Sequence, residues 1–206
     1  MNLIIISVNP SSVQMKKRIV IFASGNGTNA KKIIEHFQSS ETAEVIRVIA
    51  NKKDAKVLEV ADSYAIASEY LPKEDFQDPE TIVSKVRSWK PDLIVLAGFL
   101  LKIPKDLVQA FPNKIINIHP ALLPKFGGKG MYGRHVHEAV AASEETETGI
   151  TIHYVNEQYD EGAIIFQASV SLDKGETPER IAKKVQQLEH QHFPKVIEQL
   201  LKALNE

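Results

Sequence analysis

The 206-residue chain has no cysteine. Disulfides, thiolate nucleophiles and cysteine-ligated zinc or iron–sulfur centres are therefore excluded, and a cytoplasmic setting fits. Long apolar runs are missing too: none approaches the roughly 20 residues that a membrane-spanning helix needs. The run Leu3–Ile6 is short and has no basic residue before it, so it does not read as a secretory signal. Charge of one sign is also lacking. Lys and Arg number 25 against 26 Asp and Glu, a formal net charge of -1, so no basic field is available for nucleic acid or anionic lipid. No internal repeat or low-complexity segment is present.

What is there is ordinary for a globular domain: 43% hydrophobic and 25% charged residues, in a chain long enough for a substantial core. Residues 1–15 read as a loosely held N-terminal extension, with Ile4–Ile6 as an edge strand the competing reading and Met15 an alternative start. Residues 16–206 read as a single domain.

Apolar runs and amphipathic segments alternate along that domain. Strands are expected at Arg18–Ala23, Glu44–Ala50, Ala65–Ser68, Leu93–Ala97 and Lys114–Ile118. Helices are expected at about Asn29–Gln38, Ala55–Tyr64, Glu80–Trp89 and Lys105–Phe111, with Pro72–Pro79 as loop. Such alternation predicts an α/β, Rossmann-like three-layer fold, mostly parallel, with helices on both faces. Thr148–Val155 and Ala163–Val170 are joined by a short connection, so they should form an antiparallel hairpin at one edge. Further helices are expected at Arg134–Ala142 and from Thr177 to Leu204, the latter interrupted near Pro194.

Two stretches carry chemistry. Asn117 and His119 close the fifth apolar strand, because Pro120 cannot donate to a ladder. Period two puts both on one face, at the strand end where open α/β sheets bind ligands. An amide beside an imidazole suits chemistry on a carbonyl; a capped strand end with a surface histidine is the equal alternative. Ser24-Gly25-Asn26-Gly27-Thr28-Asn29 breaks the first strand and opens a helix. Glycines there admit close backbone approach and the helix N–H groups point at an anion, although a merely structural turn has the same spelling. Ala30 stands where a third glycine would complete a dinucleotide fingerprint, and no P-loop lysine follows. The glycine-rich segment 125–133 reads either as a lid or as a surface connector. His135 and His137 lie two apart, on different faces of the expected helix, and read as surface or helix-start residues rather than metal ligands.

Four motifs in order, Ser24–Asn29, Leu96-Ala97-Gly98-Phe99, Asn117–Pro124 and Tyr159-Asp160-Glu161-Gly162, resemble the phosphoribosylglycinamide formyltransferases, from about Lys17 to the last helix. The resemblance implies formyl transfer from 10-formyltetrahydrofolate, a cosubstrate, to the amine of phosphoribosylglycinamide in purine biosynthesis. No prosthetic group or metal is implied. It further implies catalysis by Asn117, His119 and Asp160. The phosphoribosylglycinamide would be held by Gly27, Thr28, Asn29 and Glu189, and the folate by Leu100, Leu101, Lys102, Ile103 and Asn117. Asp160 is expected to favour the charged form of His119. The implied partners are small molecules, with no nucleic acid or membrane, in a cytoplasmic monomer or weak homodimer. Ala121 departs from a common serine, and Leu101 from a common arginine, the base here being Lys102. Only Gln77, Asp78 and Pro79 stand where a substrate-contacting arginine is usual, and the glycine-rich loop is longer. The alternatives are a formyltetrahydrofolate hydrolase or methionyl-tRNA formyltransferase, both larger in their usual forms, and a non-catalytic nucleotide-binding module.

Overall fold

The computed structural model describes residues 15–203, so the expected extension lies, apart from Met15, outside the described residues. The elements in order are β1 (Lys17–Ala23), α1 (Thr28–Phe37), β2 (Ala43–Ala50), α2 (Lys56–Ser63), β3 (Ala67–Tyr70), a 3-10 turn (Lys73–Gln77) and α3 (Pro79–Ser88). Then follow β4 (Leu93–Leu96), α4 (Lys105–Ala110), β5 (Ile115–His119), α5 (Arg134–Ala141), β6 (Glu147–Tyr154), β7 (Ile164–Ser171) and α6 (Pro178–Ala203).

The strands form a seven-stranded sheet in the order β3-β2-β1-β4-β5-β6-β7. The five from β3 to β5 run parallel, and β6 and β7 pair antiparallel at one edge. This is the expected mostly parallel, edge-hairpin architecture. The pleat sorts the core into two layers. Ile19, Ile21, Val95, Ile116, Ile118, Ile150 and Ile152 pack with α1, α2, α5 and α6. Val20, Phe22, Ile94, Leu96 and Ile115 pack with α3, α4 and the 3-10 turn on the other face. Asn117 and His119 continue the second set, sharing the face of Ile115.

Three local expectations need correction. The third strand starts at Ala67, not Ala65, because the N–H groups of Ala65 and Ile66 are still bound to the last carbonyls of α2, and Ala65 turns at φ 55. The 72–79 segment is not plain loop. Its 3-10 turn buries Phe76 against Phe22 and Phe99, at ring separations of 6.2 and 5.4 Å. Pro194 does not interrupt the last helix: α6 runs on for 26 residues. Phe193, Pro194, Val196, Ile197 and Leu201 are all buried in the core, and that packing outweighs the lost backbone hydrogen bond.

Candidate active site

The sheet order reverses between β1 and β4, so the connections leaving their carboxyl ends diverge and open a crevice. A cleft of about 670 Å³ lies there. It is bordered by the turn after β1, the loop after β4, the end of β5, the glycine-rich loop and one face of α6. Each sequence-predicted residue lines it: Gly27, Thr28, Asn29, Leu100, Leu101, Lys102, Ile103, Asn117, His119, Asp160 and Glu189.

Asn117 and His119 project from one face of β5, as period two requires. His119 is 3% exposed. Its Nε2 lies 2.8 Å from the Phe126 carbonyl oxygen, which can only accept, so Nε2 carries the proton. Phe126 reaches that position with φ at 56, a left-handed conformation that few aromatic residues adopt. The opposite nitrogen, Nδ1, faces Asp160 Oδ2 at 3.6 Å. Asp160 is approached at both carboxylate oxygens. The Gly128 N–H donates to Oδ2 at 2.9 Å, and Oδ1 stands 3.6 Å from His153 Nε2. The glycine-rich loop thus ties the imidazole at Phe126 and the carboxylate at Gly128.

Asp160 does favour the charged form of His119, as expected, but it is not the largest influence. Burial holds His119 below the ordinary histidine value, outweighing the upward pull of Asp160 and of the Phe126 carbonyl. The resting imidazole is neutral, with Nδ1 open to receive a proton. Burial alone would raise Asp160, but His153, His119 and the Gly128 N–H together bring it below the usual carboxylate value.

His153, which sequence reasoning missed, completes the cluster. It lies directly across the β5–β6 ladder from Asn117, with its Nε2 3.1 Å from Asn117 Nδ2. His153 Nδ1 lies 2.9 Å from the Tyr154 carbonyl oxygen and so carries the proton. Nε2 then accepts from Asn117. That fixes the amide and leaves its second N–H for a ligand. A signal was available: Thr151 and His153 alternate with Ile150 and Ile152, so buried polar side chains face the same side as Asn117.

In the turn after β1, Gly27 takes φ 72 immediately before α1 and packs on Val57. Asn29 Nδ2 donates to Glu189 Oε2 at 2.8 Å, and Gln186 Nε2 to Thr28 Oγ1 at 3.4 Å. Gln186, also missed, is one turn before Glu189 on the same face of α6. Burial pushes the Glu189 carboxyl up, against the downward pull of Asn29. Asn29 Oδ1 is buried without a partner. His137 corrects a further expectation. Only His135 faces solvent, 3.5 Å from Glu138, whereas His137 lines the cleft with a buried, unpartnered Nδ1. Burial and the nearby His119 hold His137 low.

At the other end the loop after β4 makes a largely apolar wall. Ile103 and Phe99 are buried, Leu100 is 42% exposed, and Lys102 Nζ sits 4.9 Å over the Tyr159 ring. A donor amide, a buried imidazole and a carboxylate thus lie between the glycine turn after β1 and an apolar wall. Fold and site together define an α/β protein with an enzyme-like cleft at the carboxyl ends of its parallel strands.

The chain belongs to the formyl transferase family, whose model matches residues 17–197. It is 43% identical over 188 residues to the chloroplastic phosphoribosylglycinamide formyltransferase of Arabidopsis thaliana, covering 88% of this chain and 64% of that protein. It is 36% identical over 190 residues to the Bacillus subtilis phosphoribosylglycinamide formyltransferase, covering 90% of this chain and 95% of that one. Among solved structures, the Anaplasma phagocytophilum phosphoribosylglycinamide formyltransferase superposes with a TM-score of 0.83 at 32% identity, covering 92% and 89% of the two chains.

Proposed function

We propose that this chain transfers the formyl group of 10-formyltetrahydrofolate to the amine of 5'-phosphoribosylglycinamide, releasing tetrahydrofolate, in purine biosynthesis. The observation that carries the reading is the meeting of Asn117, His119 and Asp160 between the Gly27–Asn29 turn and the Leu100–Ile103 wall. The phosphate goes to the turn and the glycosyl portion to Asn29 and Glu189. The folate lies along Leu100–Ile103 and reaches Asn117.

The amine lone pair attacks the formyl carbon, and the carbonyl electron pair moves onto oxygen. The second N–H of Asn117 meets that oxygen. A preorganised donor of this kind is worth about 3–4 kcal/mol. The amine, now carrying an excess proton, gives it to His119 Nδ1, which stands neutral. Asp160 stabilises the imidazolium across 3.6 Å. His119 then returns the proton to N10 of the folate as the carbon–nitrogen bond breaks. Such proton transfer contributes about 10²–10⁴ in rate. The folate is a cosubstrate and no prosthetic group enters the scheme.

The reading includes a single domain over residues 16–206, a cytoplasmic location and a monomer or weak homodimer acting on small molecules. The net charge of -1 supports partners other than nucleic acid. Incubation with both substrates, followed by the absorbance of the folate, is the test. Turnover must depend on the amine; release of tetrahydrofolate without it would mark a hydrolase, and no release would end the proposal.

A further inference from the structure

Three strand ends meet at one buried hydroxyl outside the catalytic cluster. Ser24, 2% exposed, follows β1 directly. Its O–H donates to Asn51 Oδ1 at 2.6 Å, just beyond the end of β2. Its oxygen accepts the Leu100 N–H at 2.8 Å, in the loop after β4. Its own N–H donates to the Gly98 carbonyl at 3.1 Å. Since the hydroxyl proton goes to Asn51, a lone pair is left facing Leu100, and the direction of each bond is fixed.

The location gives the contact a consequence. β1 and β4 are the neighbours at which the sheet order reverses, so their loops diverge across the crevice. The β1 side carries the anion turn, and the β4 side carries the apolar wall. Gly98, at φ 74, makes the sharp turn into that wall, and Phe99 is held by Phe22 and Phe76. Beyond Phe99 the chain is half open to solvent, and the Leu100 N–H is its tie to the anion side.

We propose that Ser24 is a positioning residue for the folate subsite: its hydroxyl, oriented by Asn51, anchors Leu100 and sets the spacing between the apolar wall and the anion turn. The inference rests on the reaction proposed above. It also removes the Leu100 N–H from the groups available to the folate, so main-chain recognition falls to other groups of the 100–103 segment.

The test is Ser24→Ala, read by amide hydrogen exchange of the ligand-free protein and by the two Michaelis constants. The expected result is faster exchange across residues 97–103 with β1 and β5 as protected as in the parent. The KM for 10-formyltetrahydrofolate rises about ten-fold, which is about 1.4 kcal/mol. The KM for the nucleotide and kcat at saturation change by less than about twofold. Unchanged exchange at 97–103, or both Michaelis constants rising together with a lower Tm, overturns the proposal. If Ser24→Ala does not fold, Asn51→Ala leaves the hydroxyl in place without its orienting acceptor. It should raise the folate KM about threefold in the same pattern, and no change would be equally fatal. Should the parent chain show no turnover, the reaction fails, and the exchange experiment still decides the tether.

Discussion

Asp160 Oδ2 stands 3.6 Å from His119 Nδ1, while the far nitrogen of the same ring is held by the Phe126 carbonyl at 2.8 Å. The ring is thereby fixed at both ends, and the nitrogen facing the carboxylate is the one that lacks a proton at rest. A carboxylate so placed contributes most after a proton arrives. In the proposed transfer it would stabilise the imidazolium, without holding the resting ring charged, because burial dominates.

Asp160→Asn therefore makes a signed prediction. Asp160 pulls the His119 pKa up, so its loss lets the value fall further. The acid limb of the kcat profile should move to lower pH, while the plateau drops by about 10²-fold or more as the imidazolium loses its partner. A profile measured from pH 5 to 9 in which the limb stays in place would remove Asp160 from this role.

Asn117→Ala and His119→Ala should each lower kcat by about 10²–10³-fold with little change in nucleotide affinity. The turn proposed to hold the phosphate is built from β1 and α1, separate from β5. Steady-state kinetics and calorimetric titration with phosphoribosylglycinamide read the two halves of this prediction. Near-parental turnover in either variant would reassign the site.

His153→Leu keeps the bulk of the ring but not its acceptor. Asn117 Nδ2 would lose the 3.1 Å contact that orients it, and the amide could rotate away from the formyl oxygen. The expected outcome is a kcat about ten-fold or more below the parent with both Michaelis constants close to parental, the signature of a loss confined to the transition state. A selective rise in the nucleotide Michaelis constant would instead make His153 a binding residue.

The difference between Asn117 and His153 shows where sequence reading runs out. Asn117 and His119 were legible because strand period, the Pro120 stop and the carboxyl-end rule all act within six residues. The layered sheet and its edge hairpin were legible for the same local reason. His153 sits opposite Asn117 only through the β5–β6 register, and register depends on the whole edge hairpin. Asn29 meets Glu189 across 160 residues, and no local pattern pairs them; motif resemblance alone linked Glu189 to the site. His137 was misread because its exposure depends on how α5 packs over the cleft. The net shift of His119 required the depth of burial, which a motif does not carry.

Acid stability follows from the same burial. His119, His137, His190 and His192 all lie below the ordinary histidine value, in each case with burial the largest cause. The unfolded chain binds protons at these groups near pH 6.5, whereas the folded chain resists them. Below about pH 6.5 the unfolded state therefore holds more protons, and stability falls as pH falls. Carboxylates with lowered values act in the same direction at more acid pH, and Glu189, raised by burial, is a single group acting in the opposite direction. Urea midpoints between pH 7.5 and 5 should decline; a midpoint that rises on acidification would contradict histidines held below their ordinary value.

Gly27→Ala tests the proposed anion turn by two independent costs. Gly27 has φ 72, a region that costs an alanine roughly 1 kcal/mol or more. An added Cβ would stand 2.6 Å from Val57 Cγ2 and 2.9 Å from Val57 Cα. The first contact is with a side chain that can turn, but the second is with backbone. The Val57 N–H is also bound to the Gly25 carbonyl, so α2 cannot retreat without breaking the turn it supports. The nucleotide KM should rise about ten-fold or more while kcat at saturating nucleotide changes little, since β5 and the hairpin loop bearing Asp160 are untouched. Val57→Ala, added to Gly27→Ala, removes the contact with Cγ2 and leaves both the backbone contact and the left-handed φ. Rescue should therefore be partial. Full restoration of the nucleotide KM by Val57→Ala would mean that side-chain crowding alone, rather than turn geometry, was responsible.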